Sequence, residues 1–191
     1  MPVSELKTFF AIDRKAWRKW LEKNHANSPG VWLIYYKKTS GKKRLEYNDA
    51  VEEALCFGWI DSTIRPIDDE RYMQRFSQRK SKSGWSALNK RRIEKMIEQN
   101  LMTKSGLEKI EDAKKSGAWA GLDQIEALKL PEDFEKALSR NKRASVNFEN
   151  FPRFAKKQFL YHINSAKRPE TRKQRIRLLI KMAALNKKPT M

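Results

Sequence analysis

The residues best suited to chemistry lie in one stretch of the 191-residue chain, between Trp59 and Asn89. An aspartate beside an arginine stays ionised and can hold the guanidinium group ready for an anionic or planar ligand. Tryptophan rings supply flat walls for stacking or cation–π contacts, and the free N–H groups of a helix amino terminus attract anions. The stretch therefore predicts a binding site for an anionic small ligand or an acidic protein partner. Its candidate residues are Trp59, Asp61, Arg75, Arg79, Trp85, Ser86 and Asn89.

A plainer interpretation of the same residues is an ion pair packed beside two core tryptophans. If residues 59–67 and 71–78 form a hairpin, side chains of like parity on one strand share a face. Asp61 would then project with Trp59, and Arg75 with Arg79 if the strand stays regular. Such an arrangement would serve folding as well as binding, so the sequence leaves both interpretations open.

Catalysis finds little support among the nucleophiles and bases of the chain. Cys56 is the only thiol and lies in an apolar segment, whereas a nucleophilic cysteine needs an exposed, electropositive setting and a nearby base. Neither a G-x-S-x-G motif nor a glycine-rich phosphate loop is present, and one cysteine with two histidines cannot make an ordinary four-ligand zinc site. We therefore predict no catalytic residue, metal or cofactor, and keep an enzyme of unknown reaction as the last alternative.

Positive charge is concentrated near the end of the chain. The net charge is +19, and residues 140–191 carry 15 Lys or Arg against two acids, a local net charge of +13. Such a surface attracts nucleic acid, anionic lipid headgroups or acidic proteins, although lysine-rich helix faces are often only solvated. Against nucleic acid, no binding motif is recognisable, and basic and aromatic residues occupy different parts of the chain. The candidate polyanion-binding residues of this alternative are Arg140, Lys142, Arg143, Arg172, Arg175 and Lys181.

Strands in the first part of the chain must position these side chains, and helices follow. The β-branched and aromatic run Val31–Tyr36 predicts a strand, and the patterns at Trp59–Ile67 and Arg71–Gln78 predict a hairpin. Helical periodicity dominates the rest, beginning at Ala87–Gln99. The predicted inner face of that helix is Leu88, Ile93, Met96 and Ile97.

We thus predict an α+β fold in two parts, which one compact unit could also contain. Residues 1–85 would hold a small, mainly antiparallel sheet with helices, and residues 86–191 an all-helical, basic part. No apolar run approaches the roughly 20 residues of a membrane-spanning helix. The first residues lack the basic and then apolar plan of a secretion signal. We therefore expect a cytoplasmic protein that does not span a membrane; the sequence indicates no oligomeric state.

Several motifs resemble those of a known bacterial family. Leu-Cys-Phe-Gly-Trp-Ile-Asp at residues 55–61, followed by Arg-Phe-x-x-Arg-Lys at residues 75–80, is similar to the YdeI/OmpD-associated family. Gln78 departs from the pattern, since proline is expected there. The resemblance covers nearly the whole chain, and its further segments are residues 83–89, 102–107, 166–172 and 175–176.

This resemblance implies a role more than a reaction. The family name refers to association with an outer-membrane porin and to protection against bacteriocins or cationic antimicrobial peptides, and it carries no agreed reaction, cofactor or catalytic residue. The lack of a secretion signal argues against a direct porin contact. We therefore expect a non-enzymatic stress- or bacteriocin-resistance-type protein that binds an anionic ligand or partner, with nucleic-acid binding as the alternative.

Overall fold

The computed structural model describes residues 6–189, which form four strands and nine α-helices. The strands are β1 (Thr8–Phe10), β2 (Val31–Tyr36), β3 (Trp59–Pro66) and β4 (Arg71–Gln78). The helices are α1 (Arg14–Asn24), α2 (Tyr47–Cys56), α3 (Ala87–Glu98), α4 (Lys104–Lys115), α5 (Asp123–Glu126), α6 (Glu132–Ser139), α7 (Lys142–Asn150), α8 (Arg153–Asn164) and α9 (Pro169–Ala184). Every described strand precedes Ala87, which confirms the predicted α+β class. Within residues 6–189, no helix is long and apolar enough to cross a membrane.

The sheet has the strand order β1-β2-β4-β3, and only the β1–β2 pair is parallel. The β3–β4 hairpin closes where the carboxylate of Asp68 accepts hydrogen bonds from the backbone N–H groups of Glu70 and Arg71, at 3.0 and 2.7 Å. A register shift between Asp61 and Ile64 interrupts the pairing of β3 with β4. Beyond this shift the side chains of β3 are exposed, so Asp61 is the last β3 side chain that is partly buried.

Helix α2 lies at the centre of the first core, and its side chains from Ala50 to Cys56 are all buried. Beyond its end, Gly58 has a φ of 73°, and a Cβ there would lie 2.6 Å from the side chain of Lys109. The turn into β3 therefore requires glycine. A Cβ at Gly106 of α4 would collide with the backbone carbonyl of Cys56, so α4 packs directly on the end of α2.

A network of charged side chains joins α1 to α2 and α3. Nε of Arg14 lies 2.6 Å from one carboxylate oxygen of Glu53, and Nη1 of Arg18 lies 2.7 Å from the other. Glu52 contacts both Arg14 and Lys95 at 2.8 Å. Because both glutamates are buried, each needs the two cations that flank it.

The chain divides into two compact units after Gly121. The boundary predicted after residue 85 lies within the first unit, since α3 and α4 pack on the same core as the sheet. Ile93 and Met96 of α3, with Ile110 and Ala113 of α4, are buried in that core. We refer below to residues 6–121 as the first unit and to residues 122–189 as the second unit.

The second unit consists of α5 to α9 around a core of aromatic rings. Phe134, Phe148, Phe151 and Phe159 pack in edge and tilted contacts with centroids 5.3 to 6.4 Å apart. Pro152 separates α7 from α8, because a proline ring cannot continue the helix that precedes it. The unit is therefore a small helical bundle, as its periodicity predicts.

Candidate functional site

Asp61 lies at the centre of a polar group of side chains on the helix-covered face of the sheet. Its carboxylate accepts hydrogen bonds from the hydroxyl of Tyr47 at 2.9 Å and from the side-chain amide of Gln74 at 2.6 Å. The register explains the arrangement: Asp61 pairs with Phe76, and residues 74 and 76 share a face because they are two apart. Asp61 makes no ion pair with an arginine in the described structure, so the predicted Asp–Arg fork does not form.

Arg79 follows β4 and turns into the protein, where its backbone N–H donates to the carbonyl of Gly58 at 2.9 Å. Its guanidinium group lies 3.7 Å above the ring of Trp85 and donates to the carbonyl of Gly84 at 2.7 Å. Only 5% of Arg79 is exposed. Burial lowers the pKa of Arg79 to about 10, against the opposing effect of the nearby negative charge of Asp61. Arg79 is therefore a buried cation at neutral pH.

Three buried side-chain atoms of residues 6–189 have no hydrogen-bond partner: the hydroxyl of Tyr35, Oε1 of Gln74 and Nε of Arg79. A buried polar atom without a partner costs about 1–3 kcal/mol, and native proteins contain few of them. All three are in the first unit near Asp61, which acts electrostatically on both Tyr35 and Arg79. We refer to Tyr35, Tyr47, Asp61, Gln74 and Arg79 as the polar cluster.

The two tyrosines of the polar cluster hold their protons firmly. Burial, with the negative charge of Asp61 adding to it, raises the pKa of Tyr47 to about 12. Burial also raises the pKa of Tyr35 far above its ordinary value, helped by Tyr72 and Asp61. Both phenols are therefore neutral at physiological pH and act as hydrogen-bonding groups.

A cavity of about 490 Å³ meets the polar cluster at Tyr47, the one residue of the cluster among those that line it. Tyr47 belongs to both, since its ring lines the cavity while its hydroxyl contacts Asp61. Helix α2 begins at this cavity, and no side chain caps its amino terminus. The other lining residues are Lys37, Lys38, Arg44, Glu46, Asn48 and Tyr72. Three of these are cations and one of them, Arg44, is paired with Glu46 at 2.8 Å, so the lining keeps a net positive charge that favours a negatively charged group.

Ser86 and Asn89, both predicted as ligand-binding residues, are occupied by local contacts. The hydroxyl of Ser86 accepts a hydrogen bond from the backbone N–H of Asn89 at 3.3 Å and so caps α3. The side-chain oxygen of Asn89 accepts from Arg92 at 2.8 Å, and Arg92 also donates to Asn48 of α2. These contacts tie the start of α3 to the start of α2.

The remaining predicted residues separate into two groups. Trp59 is fully buried and its indole N–H donates to the carbonyl of His25 at 3.1 Å, so it is part of the core. Arg75 is exposed on the opposite face of the sheet from Gln74, because it is one residue away on the same strand. Arg75 and Arg79 were predicted to share a face only if the strand stays regular, and this condition is not met, since β4 ends at Gln78 and the chain turns inward there. The structure thus brings Arg79 into contact with Trp85, while Asp61 acts on Arg79 only through its charge, and Arg75 lies outside.

Tyr35, Tyr47 and Gln74 were missed in the sequence. One signal for Gln74 was available, because it alternates with Tyr72 and Phe76 on a strand whose inner positions are otherwise aromatic. A polar residue at such a position marks a buried hydrogen-bonding group. No comparable signal existed for the Tyr47 hydroxyl, whose partner Asp61 lies 14 residues further along the chain.

The candidate polyanion-binding residues are also of two kinds. Arg172 makes two hydrogen bonds to the carboxylate of Asp133, at 2.6 and 2.9 Å, and Arg175 donates to the carbonyl of His162 at 2.6 Å. These two arginines therefore join α9 to α6 and to the end of α8. The others are exposed on the second unit: Arg140, Lys142, Arg143 and Lys181.

The thiol of Cys56 is buried against the elements around α2. Burial raises the pKa of Cys56 to about 11, and the charge of Glu53 adds to this effect. A thiol with a raised pKa is a poor nucleophile at neutral pH. In the part of the chain that the structure describes, no group of three His, Cys, Asp or Glu side chains is placed to hold a metal ion.

Comparison with known families assigns the two parts of the chain separately. Residues 9–109 match the family described as "Domain of unknown function (DUF8412)", and because this span is more than half of the chain, the protein belongs to that family. Residues 127–186 match the family described as "Bacteriocin-protection, YdeI or OmpD-Associated". No curated protein and no solved structure matches the chain significantly.

The second match confirms the family resemblance for the carboxy-terminal motifs, which lie at residues 166–172 and 175–176. The motifs at residues 55–61 and 75–80 lie within the span of the first match. The whole polar cluster also lies within residues 9–109.

Proposed function

We propose that this member of the DUF8412 family is a bacteriocin-protection-type protein that binds a small anionic ligand at the polar cluster. One observation carries the proposal: Arg79 is buried, lies on Trp85 and keeps an Nε–H group without a partner. A fixed, buried cation with an unused donor is a strong partner for a carboxylate or phosphate oxygen. The match of residues 127–186 to the bacteriocin-protection family supports the protective role.

The other members of the polar cluster limit the chemistry of the ligand. Oε1 of Gln74 accepts hydrogen bonds only, so it calls for a hydroxyl or N–H group on the ligand. The negative charge of Asp61 disfavours a second anionic group at that end. We therefore propose a ligand with one anionic group for Arg79 and at least one hydrogen-bond donor for Gln74, as in a small hydroxy acid.

The groups in this region suit binding better than a reaction. Tyr35 and Tyr47 keep their protons at neutral pH, and Cys56 is a buried thiol. The proposed site thus orients a ligand through fixed donors and acceptors.

Isothermal titration calorimetry of the purified full chain with glycolate, lactate, acetate and phosphate tests this proposal. We expect the hydroxy acids to bind more tightly than acetate, because acetate offers no donor to Gln74. Arg79→Lys keeps the positive charge but loses the guanidinium fork and should weaken binding at least ten-fold. Arg75→Lys is the matched control, since Arg75 is exposed on the other face of the sheet, and should bind like the wild type.

The variant Arg79→Met distinguishes a loss of binding from a loss of folding. Methionine can fill the space beside Trp85 and removes a buried charge, so the melting temperature should stay within a few degrees while binding disappears. The same variant should lose protection when bacteria that produce the protein are challenged with a bacteriocin. Equal weakening in Arg75→Lys and Arg79→Lys, or no binding of any of the four anions by the wild type, would contradict the proposal.

A further inference from the structure

The outer face of α8 carries two large aromatic side chains in solvent. Phe154 is 67% exposed and Tyr161 is 52% exposed. They are seven residues apart, which is two helical turns, so they lie on the same face about 10.5 Å from each other along the axis. The opposite face of α8 buries Phe159, Leu160 and Ile163. The exposed rings are therefore not needed for the core.

Cations are interleaved with these rings. Lys157 lies three residues after Phe154 and four before Tyr161, and so between them on the same side of α8. Its ammonium group is held 2.5 Å from the carboxylate of Glu126, and Arg153, next to Phe154, donates to the backbone carbonyl of the same residue. The sequence suggested that basic and aromatic residues occupy different parts of the chain, but α8 combines them on one surface.

The second unit, which carries this surface, is strongly basic and so favours an anionic partner. Residues 122–191 contain 17 Lys or Arg and seven acids, a net charge of +10. Helix α9 exposes a row of three cations at intervals of four residues, Lys173, Arg177 and Lys181. Such a row stabilises a chain of phosphates.

We propose that the outer face of α8 is a stacking platform for single-stranded nucleic acid. Aromatic rings stack on unpaired bases of any sequence, while exposed cations of the same unit, such as the row on α9, attract the backbone phosphates. Paired bases in a duplex cannot reach Phe154 and Tyr161, so a single strand is preferred. The rings are further apart than the 3.4 Å step of stacked neighbours, so they receive bases that are not adjacent in one stack. This platform is independent of the polar cluster.

Fluorescence anisotropy with labelled 12-nucleotide oligo(dT) and oligo(U), and with a 12-base-pair duplex, tests the proposal on the full chain. We expect the Phe154→Ala/Tyr161→Ala double variant to bind single strands at least ten-fold more weakly than the wild type. Leu178→Ala/Leu185→Ala is the matched control, because Leu178 of α9 and Leu185, the residue after its end, have the same spacing in sequence and are 51% and 54% exposed. That control should bind within two-fold of the wild type.

A conservative variant and a salt series test the roles of the rings and of the phosphates separately. Tyr161→Phe retains the ring and should bind like the wild type, and exposed positions leave the melting temperature unchanged. Binding should also weaken with salt, with a log–log slope near −0.7 per phosphate contacted. The proposal is overturned if the double variant binds as well as the wild type, or if the wild type binds no single strand. It is equally overturned if the double variant changes only self-association in analytical ultracentrifugation.

Discussion

Five polar or charged side chains are buried in the first unit, whereas every buried side chain described in residues 122–189 is apolar. The buried polar residues are Glu52, Glu53, Gln74, Arg79 and Arg92. A helical bundle that buries only apolar side chains has no buried polar side chain that needs a hydrogen-bond or ion-pair partner. In the first unit each buried charge needs partners of opposite charge or hydrogen-bond partners, and two clusters differ in how completely these are provided.

Around Glu52 and Glu53 the compensation is complete, because each carboxylate contacts two cations. Around Arg79 and Gln74 it is incomplete, since each keeps an atom without a partner. A paired network stabilises the fold, while unused donors and acceptors cost stability unless something binds them. The difference between the two units, and between these two clusters, supports the proposal of a binding site at the incomplete one.

The largest effect should come from breaking the complete network. Glu53→Ala leaves Arg14 and Arg18 without their shared carboxylate, and we expect the free energy of unfolding to fall by about 3 kcal/mol. All six tryptophans lie at or before residue 119, so tryptophan fluorescence during urea unfolding reports on the first unit alone. Asp133→Ala removes a more exposed carboxylate in the second unit and should leave this transition unchanged. Equal effects of the two variants on the fluorescence transition would contradict the proposed difference between the two units.

The second largest effect should be on the pH dependence of the stability of the first unit. Although burial acts to raise it, hydrogen bonds from Lys95 and Arg14 lower the pKa of Glu52 below 4.5. The contribution of ionised Glu52 to stability is therefore complete above pH 4.5. It is lost as the pH falls through the lower pKa that Glu52 has in the folded state. Glu52→Gln should lower stability at neutral pH and make its further loss between about pH 5 and 3 shallower. Urea unfolding at several pH values measures this, and parallel curves for the two proteins would exclude a role for Glu52.

The smallest effect is expected from the surface pair of the second unit. Arg172→Lys keeps the charge but loses the two-point contact with Asp133, which should cost about 0.5–1 kcal/mol because the pair is partly exposed. Far-UV circular dichroism follows the helices of both units and measures this change. Lys173→Ala, at the exposed neighbouring position, should be neutral within about 0.5 kcal/mol. A loss above about 2 kcal/mol in Arg172→Lys would show that the pair acts like a buried one.

The sequence predicted elements well where local pattern decides them. The hairpin strand Arg71–Gln78 and the run Val31–Tyr36 have the bounds that were predicted. The three-residue strand β1 escaped notice, because it depends on pairing with β2 rather than on its own residues. Leu88 and Ile97 were predicted to face inward, but each is 48% exposed, because α3 presents only a narrow face to the core.

The candidate site was predicted only in part, for a similar reason. Asp61, Arg79 and Trp85 stood out as a charged and aromatic set within one stretch of sequence. Arg172 and Arg175 also stood out as cations, although their contacts with Asp133 and His162 give them structural roles. Composition reveals which charges exist, but a fold decides which of them are already engaged.

The close packing of α2, β3 and α4 requires glycine at positions 58 and 106, so these two positions can be used to compare related sequences. A side chain at either position would push against Lys109 or the carbonyl of Cys56, and would shift the turn whose carbonyl receives the N–H of Arg79. Relatives that keep both glycines together with Asp61 and Arg79 should therefore share the geometry of the proposed site. Relatives that have replaced either glycine should have diverged in ligand preference, even where the charged residues are retained.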